Sequence, residues 1–339
     1  MSDPRPVLFV TNHAPAFRVG AFARLDAEQD VVFALVGGGV RHGGAVGGGA
    51  ERWSFAALHP PQRAIARLAA SGRYRAVIAG LSGRVALPAA YLGARAARVP
   101  FVLWATIWRH PRTAAHALSY LPLRHLYRHA DAVVTYGPHV SAYVRAKGAR
   151  TVFEAPQSVD DAFWSAPAAP DRAAPFQALF AGRPDPEKGL HVLEAAWRAA
   201  ALPDAALVRA TDATSEQLRN FYAGSDVVVV PSIPTRDFLE PWGLVVNEAF
   251  DQGVPVIATD AVGAAAGGLV RHEETGLVVP AGDSAALASA LTRLHGDPEL
   301  RARLGANGRE AVARGFTHAE WAAGMGRALQ AVNTAKDGC

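Results

Sequence analysis

The sequence predicts an α/β protein with two domains, each built on a doubly wound parallel sheet. The chain has 339 residues, more than one hydrophobic core usually serves. Half of its residues are hydrophobic and 19% are charged, which is typical of a globular protein with a large interior. Short apolar runs alternate with helical periodicity along the chain, and this alternation indicates repeated strand–helix units with parallel strands.

Six apolar runs are predicted to form the sheet of an N-terminal domain over residues 1–155. They lie at residues 7–11, 31–36, 76–81, 101–105, 132–136 and 152–155. Helical periodicity separates most of them, as at residues 63–70, 85–97 and 114–129. The glycine-rich residues 37–49 fit neither pattern. We expect a surface loop there, because the Gly-Lys-Ser/Thr ending of a phosphate-binding loop does not follow.

A second domain is predicted over residues 156–318, with a Pro- and Ala-rich linker at residues 165–175. Its predicted strands lie at residues 178–181, 207–210, 227–230 and 254–258. Predicted helices begin near Leu190, Ser215 and Leu244 and continue at residues 285–294 and 299–313. A final helical segment, 319–339, is expected to pack back toward the N-terminal domain. Ligands of open parallel sheets bind at the carboxyl ends of the strands, so we expect the loops of both domains to face a cleft.

Charge is distributed unequally along the chain. Residues 1–155 carry 19 Lys and Arg against seven Asp and Glu, a net charge of +12, whereas residues 156–339 carry a net charge of −8. A basic domain suits an anionic partner such as a phosphate-bearing acceptor or an acidic lipid surface, although an Arg-rich composition explains the excess equally well. We find no apolar stretch of membrane-spanning length and one cysteine, Cys339. We therefore expect a cytoplasmic protein that binds no nucleic acid, with peripheral contact at the inner face of the membrane left open.

The most informative stretch is Glu240-Pro-Trp-Gly-Leu-Val-Val-Asn-Glu248, which follows a buried strand ending at Ser232. A short helix is predicted to begin there, and its first backbone N–H groups suit an anion such as a diphosphate. The amides concerned are those of Gly243, Leu244 and Val245. Glu240 and Glu248 are too far apart to share a proton, so we expect them to bind different hydroxyl groups of one extended ligand, with Ser232 in the same site.

A second stretch, Gly182-Arg183-Pro-Asp-Pro-Glu-Lys188-Gly189, runs from a strand end through a turn into a helix. Arg183 and Lys188 leave this turn as two cations that can hold phosphate oxygens, and Gly182 is placed beside them. An Asp-x-Asp motif, the usual carboxylate pair for a divalent ion on a nucleotide sugar, does not occur in the chain. We therefore predict a site without metal or other cofactor. Read singly, the same residues also fit ordinary solvated surface charges.

These two stretches, together with Glu274-Thr-Gly-Leu-Val-Val-Pro-Ala-Gly-Asp283, resemble the retaining glycosyltransferases of family 4. The resemblance covers the chain from about Val152 onward and the first half only in its strand order. It implies the GT-B architecture of two Rossmann-like domains and a nucleoside-diphosphate sugar donor, UDP- or GDP-linked. It also implies roles: Arg183 and Lys188 hold the diphosphate, Glu240 contacts the donor sugar, and Glu248 binds the ribose hydroxyls.

The chain departs from the family pattern in three places. Gln157 stands where the family's interdomain segment more often has Asn. A strand–helix unit is missing between Leu207 and Val227, so we expect a shortened second domain and leave the base unassigned. The family's sugar-facing His falls at Thr106, with His110 as the other candidate.

We expect the acceptor to bind the first half of the chain. The sequence does not identify it, and an anionic molecule and a lipid-linked molecule are both compatible with the basic charge. The acceptor-side candidates are His13, Thr106, Trp108, Arg109 and His110. Residues 118–127 fit either a half-buried helix or a helix lying on an acidic membrane.

The predicted reaction is a retaining transfer through an oxocarbenium-like state on the front face of the donor. The alternatives are a nucleotide-sugar epimerase, a pyridoxal-dependent phosphorylase using one of only three lysines, and a non-catalytic sugar-nucleotide-binding protein.

Overall fold

The structure, a computed structural model, describes residues 3–37, 54–81, 83 and 85–337. Two compact units make up the chain: residues 1–156 with 318–339, and residues 157–317. Nearly all of the glycine-rich stretch 37–49 lies outside the described residues. No helix among the residues that are described is long and apolar enough to cross a bilayer.

The first unit contains a parallel sheet of seven strands in the order β3-β2-β1-β4-β5-β6-β7. The strands are β1 (Val7–Thr11), β2 (Val31–Leu35), β3 (Ala56–Leu58), β4 (Ala76–Gly80), β5 (Phe101–Ala105), β6 (Ala132–Thr135) and β7 (Val152–Glu154). All six predicted strands are present, within one residue at each end. The sequence analysis missed β3, because its Ala-Ala-Leu sequence lacks the β-branched and aromatic residues that indicate a strand.

Helices cover the first sheet. They are α1 (Ala16–Gln29), α2 (Ile65–Ala69), α3 (Ala86–Ala96), α4 (Ala114–His129), α5 (Pro138–Ala146) and the C-terminal helix, α13 (His318–Asp337). Trp321 of α13 is fully buried and stacks on Phe9 of β1 with ring centroids 6.4 Å apart. A Cβ atom on Gly324 would lie 2.3 Å from the carbonyl oxygen of Glu154, so this helix packs directly against the backbone at the end of β7.

The second unit contains a parallel sheet of five strands in the order β12-β11-β10-β8-β9. The strands are β8 (Phe176–Ala181), β9 (Ala205–Ala210), β10 (Val227–Val230), β11 (Val256–Thr259) and β12 (Gly276–Val279). The helices are α6 (Asp161–Trp164), α7 (Leu190–Ala200), α8 (Ser215–Ala223), α9 (Val245–Asp251), α10 (Gly263–Ala266), α11 (Ser284–Gly296) and α12 (Pro298–Gly315). Strand β12 was not predicted as a strand, although its Gly-Leu-Val-Val sequence was part of the family motif.

The predicted linker at residues 165–175 is not a free tether, and this prediction was wrong. The backbone N–H of Asp171 donates to the carbonyl of Asn220 at 3.0 Å. The side chain of Arg172 forms an ion pair with Asp226 at 2.6 Å. The Pro and Ala content of residues 165–175 correctly indicated an irregular backbone, but the hydrogen bond and the ion pair fix that backbone within the second unit.

Candidate active site

The order of the second sheet determines where a ligand site can form. The chain passes from β8 outward to β9 and then returns across β8 to β10, so the direction of winding reverses between β8 and β10. Open parallel sheets bind ligands at the carboxyl ends of the strands at such a switch point. The two loops that leave this point are residues 182–189, after β8, and residues 231–244, after β10. They are the two stretches that the sequence singled out.

Lys188 and Glu240 meet where these loops approach each other. The Nζ atom of Lys188 lies 2.5 Å from Oε2 of Glu240, and the hydroxyl of Ser232 donates to the same oxygen at 3.2 Å. The side chain of Glu240 is 8% exposed and that of Lys188 is 24% exposed. A buried carboxylate requires such partners, because an uncompensated buried charge is costly. The ring of Phe238 lies 5.2 Å from Nζ and covers another side of the ammonium group.

Gly189 explains why the Lys188 turn packs so closely against the β10 loop. Its φ angle is 70°, in the left-handed region that favours glycine, and a Cβ atom there would lie 1.9 Å from the carbonyl oxygen of Pro231. The backbone N–H of Ile233 donates to the carbonyl of Glu187 at 2.9 Å. A glycine at this position therefore lets the two loops share a backbone hydrogen bond and brings Lys188 within reach of Glu240.

Buried polar contacts fix the loop that carries Glu240, residues 231–244. The indole N–H of Trp242 donates to Oδ1 of Asn247 at 2.8 Å, and the amide of Asn247 donates to the carbonyl of Gln157 at 3.2 Å. A Cβ atom on Gly263 would lie 2.0 Å from the carbonyl oxygen of Pro241, and the N–H of Gly263 donates to the carbonyl of Glu240 at 3.1 Å. These contacts hold the backbone at Glu240 and at the two residues that follow it.

Glu248 lies one turn inside α9 and has a perturbed carboxyl group. Burial raises its pKa to about 7, while a hydrogen bond of 2.7 Å from the hydroxyl of Tyr222 to Oε2 favours the charged form and opposes this rise. Gly243, with a φ angle of 91°, turns the chain into the helix, which begins at Val245 after Leu244. As at any helix start, the first backbone N–H groups have no partner within the helix.

Arg183 does not join this group. Its guanidinium forms an ion pair with Asp185 of the same turn at 2.7 Å, and its side chain is 47% exposed. Gly182 before it has a φ angle of 142°, and a Cβ atom there would meet no atom within 4 Å. The structure therefore brings together Lys188, Glu240 and Ser232, and leaves Arg183 at the edge of the same turn.

The acceptor-side candidates lie in the first unit, and three of them share a cavity. Trp108, Arg109 and His110 follow β5 and line a cavity of about 630 Å³. Thr106 and the exposed His13 are not among its lining residues. Trp104, near the end of β5, is a core residue at 6% exposure.

Sequence reasoning missed several other residues of this cavity. They are Arg112, Thr113, Tyr120, Tyr143 and Lys147. They come from three separate elements, so no local spacing connects them. A further cavity of about 420 Å³ lies between α9 and α12 in the second unit and contains none of the predicted site residues. Within the described part of the chain, no group of three or more His, Cys, Asp or Glu side chains is arranged to hold a metal ion.

Comparison with known proteins gives the class to which these features correspond. Residues 206–311 match the family model of glycosyl transferases group 1. The phosphatidyl-myo-inositol mannosyltransferase of Mycobacterium leprae is 44% identical over 90 residues, which cover 26% of this chain and 22% of that protein. The D-inositol 3-phosphate glycosyltransferase of Thermomonospora curvata is 39% identical over 124 residues, covering 35% of this chain and 25% of that protein. The matches thus span about a quarter of these relatives.

Solved structures resemble the chain over nearly its full length. HepE of Anabaena, in complex with UDP, has a TM-score of 0.73 at 18% identity, covering 96% of this chain and 99% of that chain. The sucrose-phosphate synthase of Thermosynechococcus elongatus has a TM-score of 0.70 at 20% identity, covering 98% and 100%. These likenesses confirm the predicted fold class of two Rossmann-like parallel-sheet units, as in the GT-B glycosyltransferases. The family match and the relatives support the coarser prediction that the chain is of glycosyltransferase type.

Proposed function

We propose that this chain is a retaining glycosyltransferase of family 4 that transfers a sugar from a nucleoside-diphosphate donor to an acceptor hydroxyl. The observation that carries the proposal is the cluster of Lys188, Glu240 and Ser232 at the switch point of the second sheet. The cluster places a cation that can bind a phosphate, Lys188, next to a carboxylate that can accept hydrogen bonds from sugar hydroxyls, Glu240. The structural neighbour HepE was solved with UDP and with UDP-glucose, which supports a nucleotide-sugar donor, UDP- or GDP-linked, for this chain as well.

In this proposal each side chain has a role that its present contacts allow. Lys188 faces the diphosphate and Glu240 accepts hydrogen bonds from the donor sugar. Glu248 accepts hydrogen bonds from the ribose hydroxyls, and the amides of Gly243, Leu244 and Val245 donate to phosphate oxygens. Arg183 becomes the second phosphate ligand by exchanging Asp185 for the donor. This exchange costs little, because an exposed ion pair contributes only about 0–1 kcal/mol.

The proposed chemistry needs no protein nucleophile. The bond between the anomeric carbon and the phosphate oxygen breaks ahead of attack and leaves an oxocarbenium-like sugar. The acceptor oxygen then bonds to the anomeric carbon on the same face, and its proton passes to an oxygen of the leaving phosphate. Charge growing on the diphosphate is stabilised by Lys188 and Arg183, and each such preorganised donor is typically worth about 3 kcal/mol. We propose that these cations make the transfer independent of a divalent metal.

The exposed part of α4 supports a peripheral contact with an anionic membrane. Residues 52–130 contain twelve Arg and no Asp or Glu. The exposed large hydrophobic side chains of the described residues all fall within this span: Leu58, Val85, Leu92, Leu118 and Leu121. Leu118 is 83% exposed and Leu121 is 67% exposed, whereas Leu126 and Tyr127 of the same helix are buried. The burial of Leu126 and Tyr127 fits a half-buried helix, and the exposure of Leu118 and Leu121 supports a membrane contact for the first half of α4.

We accordingly propose that α4 rests on the inner face of the cytoplasmic membrane, where anionic lipids attract arginine and leucines can insert. In co-sedimentation, the protein is expected to bind phosphatidylglycerol vesicles and not phosphatidylcholine vesicles. The double variant Leu118→Ser/Leu121→Ser is expected to lose most of this binding. Equal binding to both lipids, or an unchanged double variant, would contradict the contact.

A transfer assay tests the proposed function itself. The wild-type protein is incubated with UDP- and GDP-sugars in EDTA, and nucleotide release and the configuration of the liberated or transferred sugar are followed by NMR. Slow donor hydrolysis or transfer with retention of the anomeric configuration is expected. Free epimerised nucleotide sugar would favour an epimerase, and binding without any turnover would favour a sugar-nucleotide-binding protein.

A further inference from the structure

The cavity of about 630 Å³ in the first unit is built by three elements. The loop after β5 contributes His110, Arg112 and Thr113, α4 contributes Tyr120, and the end of α5 contributes Lys147. Its volume lies within the range of about 300–1,000 Å³ that is common for small-molecule sites. All of its lining residues belong to the first unit, whereas Lys188, Glu240 and Ser232 belong to the second.

The lining is positively charged and contains no carboxylate. Arg109, Arg112 and Lys147 all contribute to it, and none of the lining residues is Asp or Glu. Like charges gathered around one cavity repel each other, and the repulsion is stronger where water is partly excluded. A bound anion would remove this repulsion, whereas a neutral ligand would not.

Lys147 shows the imbalance most clearly. Its Nζ atom donates to the hydroxyl of Tyr120 at 3.2 Å and lies 5.3 Å from the ring centroids of both Tyr120 and Tyr143. No carboxylate occurs among the contacts described for it. Aromatic rings attract an ammonium group by only about 0.5–2 kcal/mol and leave its positive charge in place. The tyrosines therefore position Lys147 without neutralising it.

The cavity also offers hydrogen-bond donors next to its cations. His110 directs Nε2 at the carbonyl of His116, 2.7 Å away, so that Nε2 carries a proton. Its Nδ1 atom is buried and has no hydrogen-bond partner among the described residues. Burial raises the pKa of Tyr143 to about 12, so its hydroxyl stays protonated and able to donate. The cations and the protonated phenol can donate to phosphate oxygens, while Nδ1 of His110 can accept a hydrogen bond from a hydroxyl of the same ligand.

We propose that this cavity binds the phosphate group of a phosphorylated polyol or sugar, independently of the nucleotide site in the second unit. In this proposal the phosphate forms ion pairs with Lys147 and Arg112. The rings of Trp108, Tyr120 and Tyr143 form walls against which a polyol can pack. The same group is presented by a free phosphate ester and by the headgroup of a phospholipid.

Glycerol 3-phosphate and phosphatidylglycerol share this chemistry and separate the two sources. Binding of glycerol 3-phosphate, with glycerol as the neutral control, is measured by calorimetry. Binding of phosphatidylglycerol vesicles is measured by co-sedimentation in the Leu118→Ser/Leu121→Ser background, which removes the helix insertion proposed above. Binding in either arm is expected, and the arm that binds identifies the source.

Variants establish whether the cavity is responsible. Lys147→Ala and Arg112→Ala are each expected to weaken the binding by about tenfold or more, because a hydrogen bond to a charged group is worth about 1.5–3 kcal/mol. Arg150→Ala removes the same charge from an exposed position outside both the cavity and residues 52–130, and is expected to leave binding unchanged. Arg112 is exposed, so its variant remains informative if Lys147→Ala folds poorly.

Two results would overturn the proposal: no binding in either arm, or an equal loss in Arg150→Ala and Lys147→Ala, which would show a general charge effect. UDP binding serves as an internal reference, because the second unit should retain it in every cavity variant. If UDP does not bind the wild type while glycerol 3-phosphate does, the proposed donor site fails and the phosphate cavity stands.

Discussion

The two units treat their buried or half-buried cations differently. In the second unit Lys188 is matched by the buried carboxylate of Glu240, within a half of the chain that carries a net charge of −8. In the first unit Lys147 rests on two tyrosine rings, within a half that carries +12. The first arrangement fixes the position of a cation for a specific ligand. The second keeps surplus charge that attracts anions from a distance. The difference suits the two roles proposed above, a selective donor site in the second unit and a charge-driven anion site in the first.

Removing either member of the Lys188–Glu240 pair is expected to have the largest effect. Lys188→Ala loses the cation opposite the leaving diphosphate, and Glu240→Gln loses the charge that positions it. We expect each variant to lower kcat by about 10²–10³, the loss that removal of one electrostatic stabiliser typically causes. Steady-state nucleotide release measures this. Arg198→Ala, an exposed cation on α7, is the control and should match the wild type.

Gly189→Ala is expected to have the second-largest effect, a loss of folding stability that originates at the proposed donor site. A left-handed φ angle costs an Ala about 1–2 kcal/mol, and the collision with the carbonyl of Pro231 adds about 1–3 kcal/mol of overpacking. Gly282→Ala is the matched variant, because its φ angle is 82° but its Cβ atom would meet nothing within 4 Å. Urea unfolding should show a clearly larger loss for Gly189→Ala. Equal losses would mean that the two loops do not need their close approach.

The affinity for UDP is expected to depend on pH through Glu248. Its carboxyl, with a pKa raised to about 7, is mostly protonated at pH 6 and mostly ionised at pH 8. Since the ionised form accepts hydroxyl hydrogen bonds better, affinity should rise by up to about tenfold over this range. Titration calorimetry of the wild type and Glu248→Gln separates this effect from ionisation of the phosphate, which is common to both. Parallel pH profiles would exclude Glu248 from the ribose contact.

The smallest expected effect is a difference between the two units in how far salt weakens ligand binding. The surplus charge of the first unit is partly exposed and is screened as the Debye length falls from about 10 Å at 0.1 M salt to about 3 Å at 1 M. Binding of glycerol 3-phosphate should therefore weaken several-fold more than binding of UDP over the same range. Identical salt dependence would contradict the contrast between a paired and an unpaired cation.

The residues of the proposed donor site could be singled out because they fall in two short stretches that follow strands. Lys188, Glu240 and Ser232 are brought together because β8 and β10 are neighbours in the sheet, an order that the structure supplies. The partner of Arg183 could not be predicted, since either a ligand or Asp185 satisfies the same guanidinium. Tyr222, which donates to Glu248, lies on another helix, and a contact of this kind leaves no sequence spacing.

Only some residues of the cavity in the first unit were among the predicted acceptor-side candidates, because residues from separate elements leave no sequence spacing. Trp108, Arg109 and His110 follow a strand and were identified from that position. Lys147 lies at the far end of α5, and only the packing of α5 beside α4 brings it to Tyr120. Strand β3 was missed because its Ala-Ala-Leu sequence lacks β-branched and aromatic residues, and β12 was interpreted only as part of a family motif.

Calorimetry of UDP binding in the presence of EDTA tests the central claim most directly. The account predicts that the wild type and Arg198→Ala bind UDP without metal, and that Lys188→Ala weakens this binding by about tenfold or more, the worth of a hydrogen bond to a charged group. UDP binding that requires added Mg²⁺, or that is unchanged in Lys188→Ala, would contradict a diphosphate site built on Lys188.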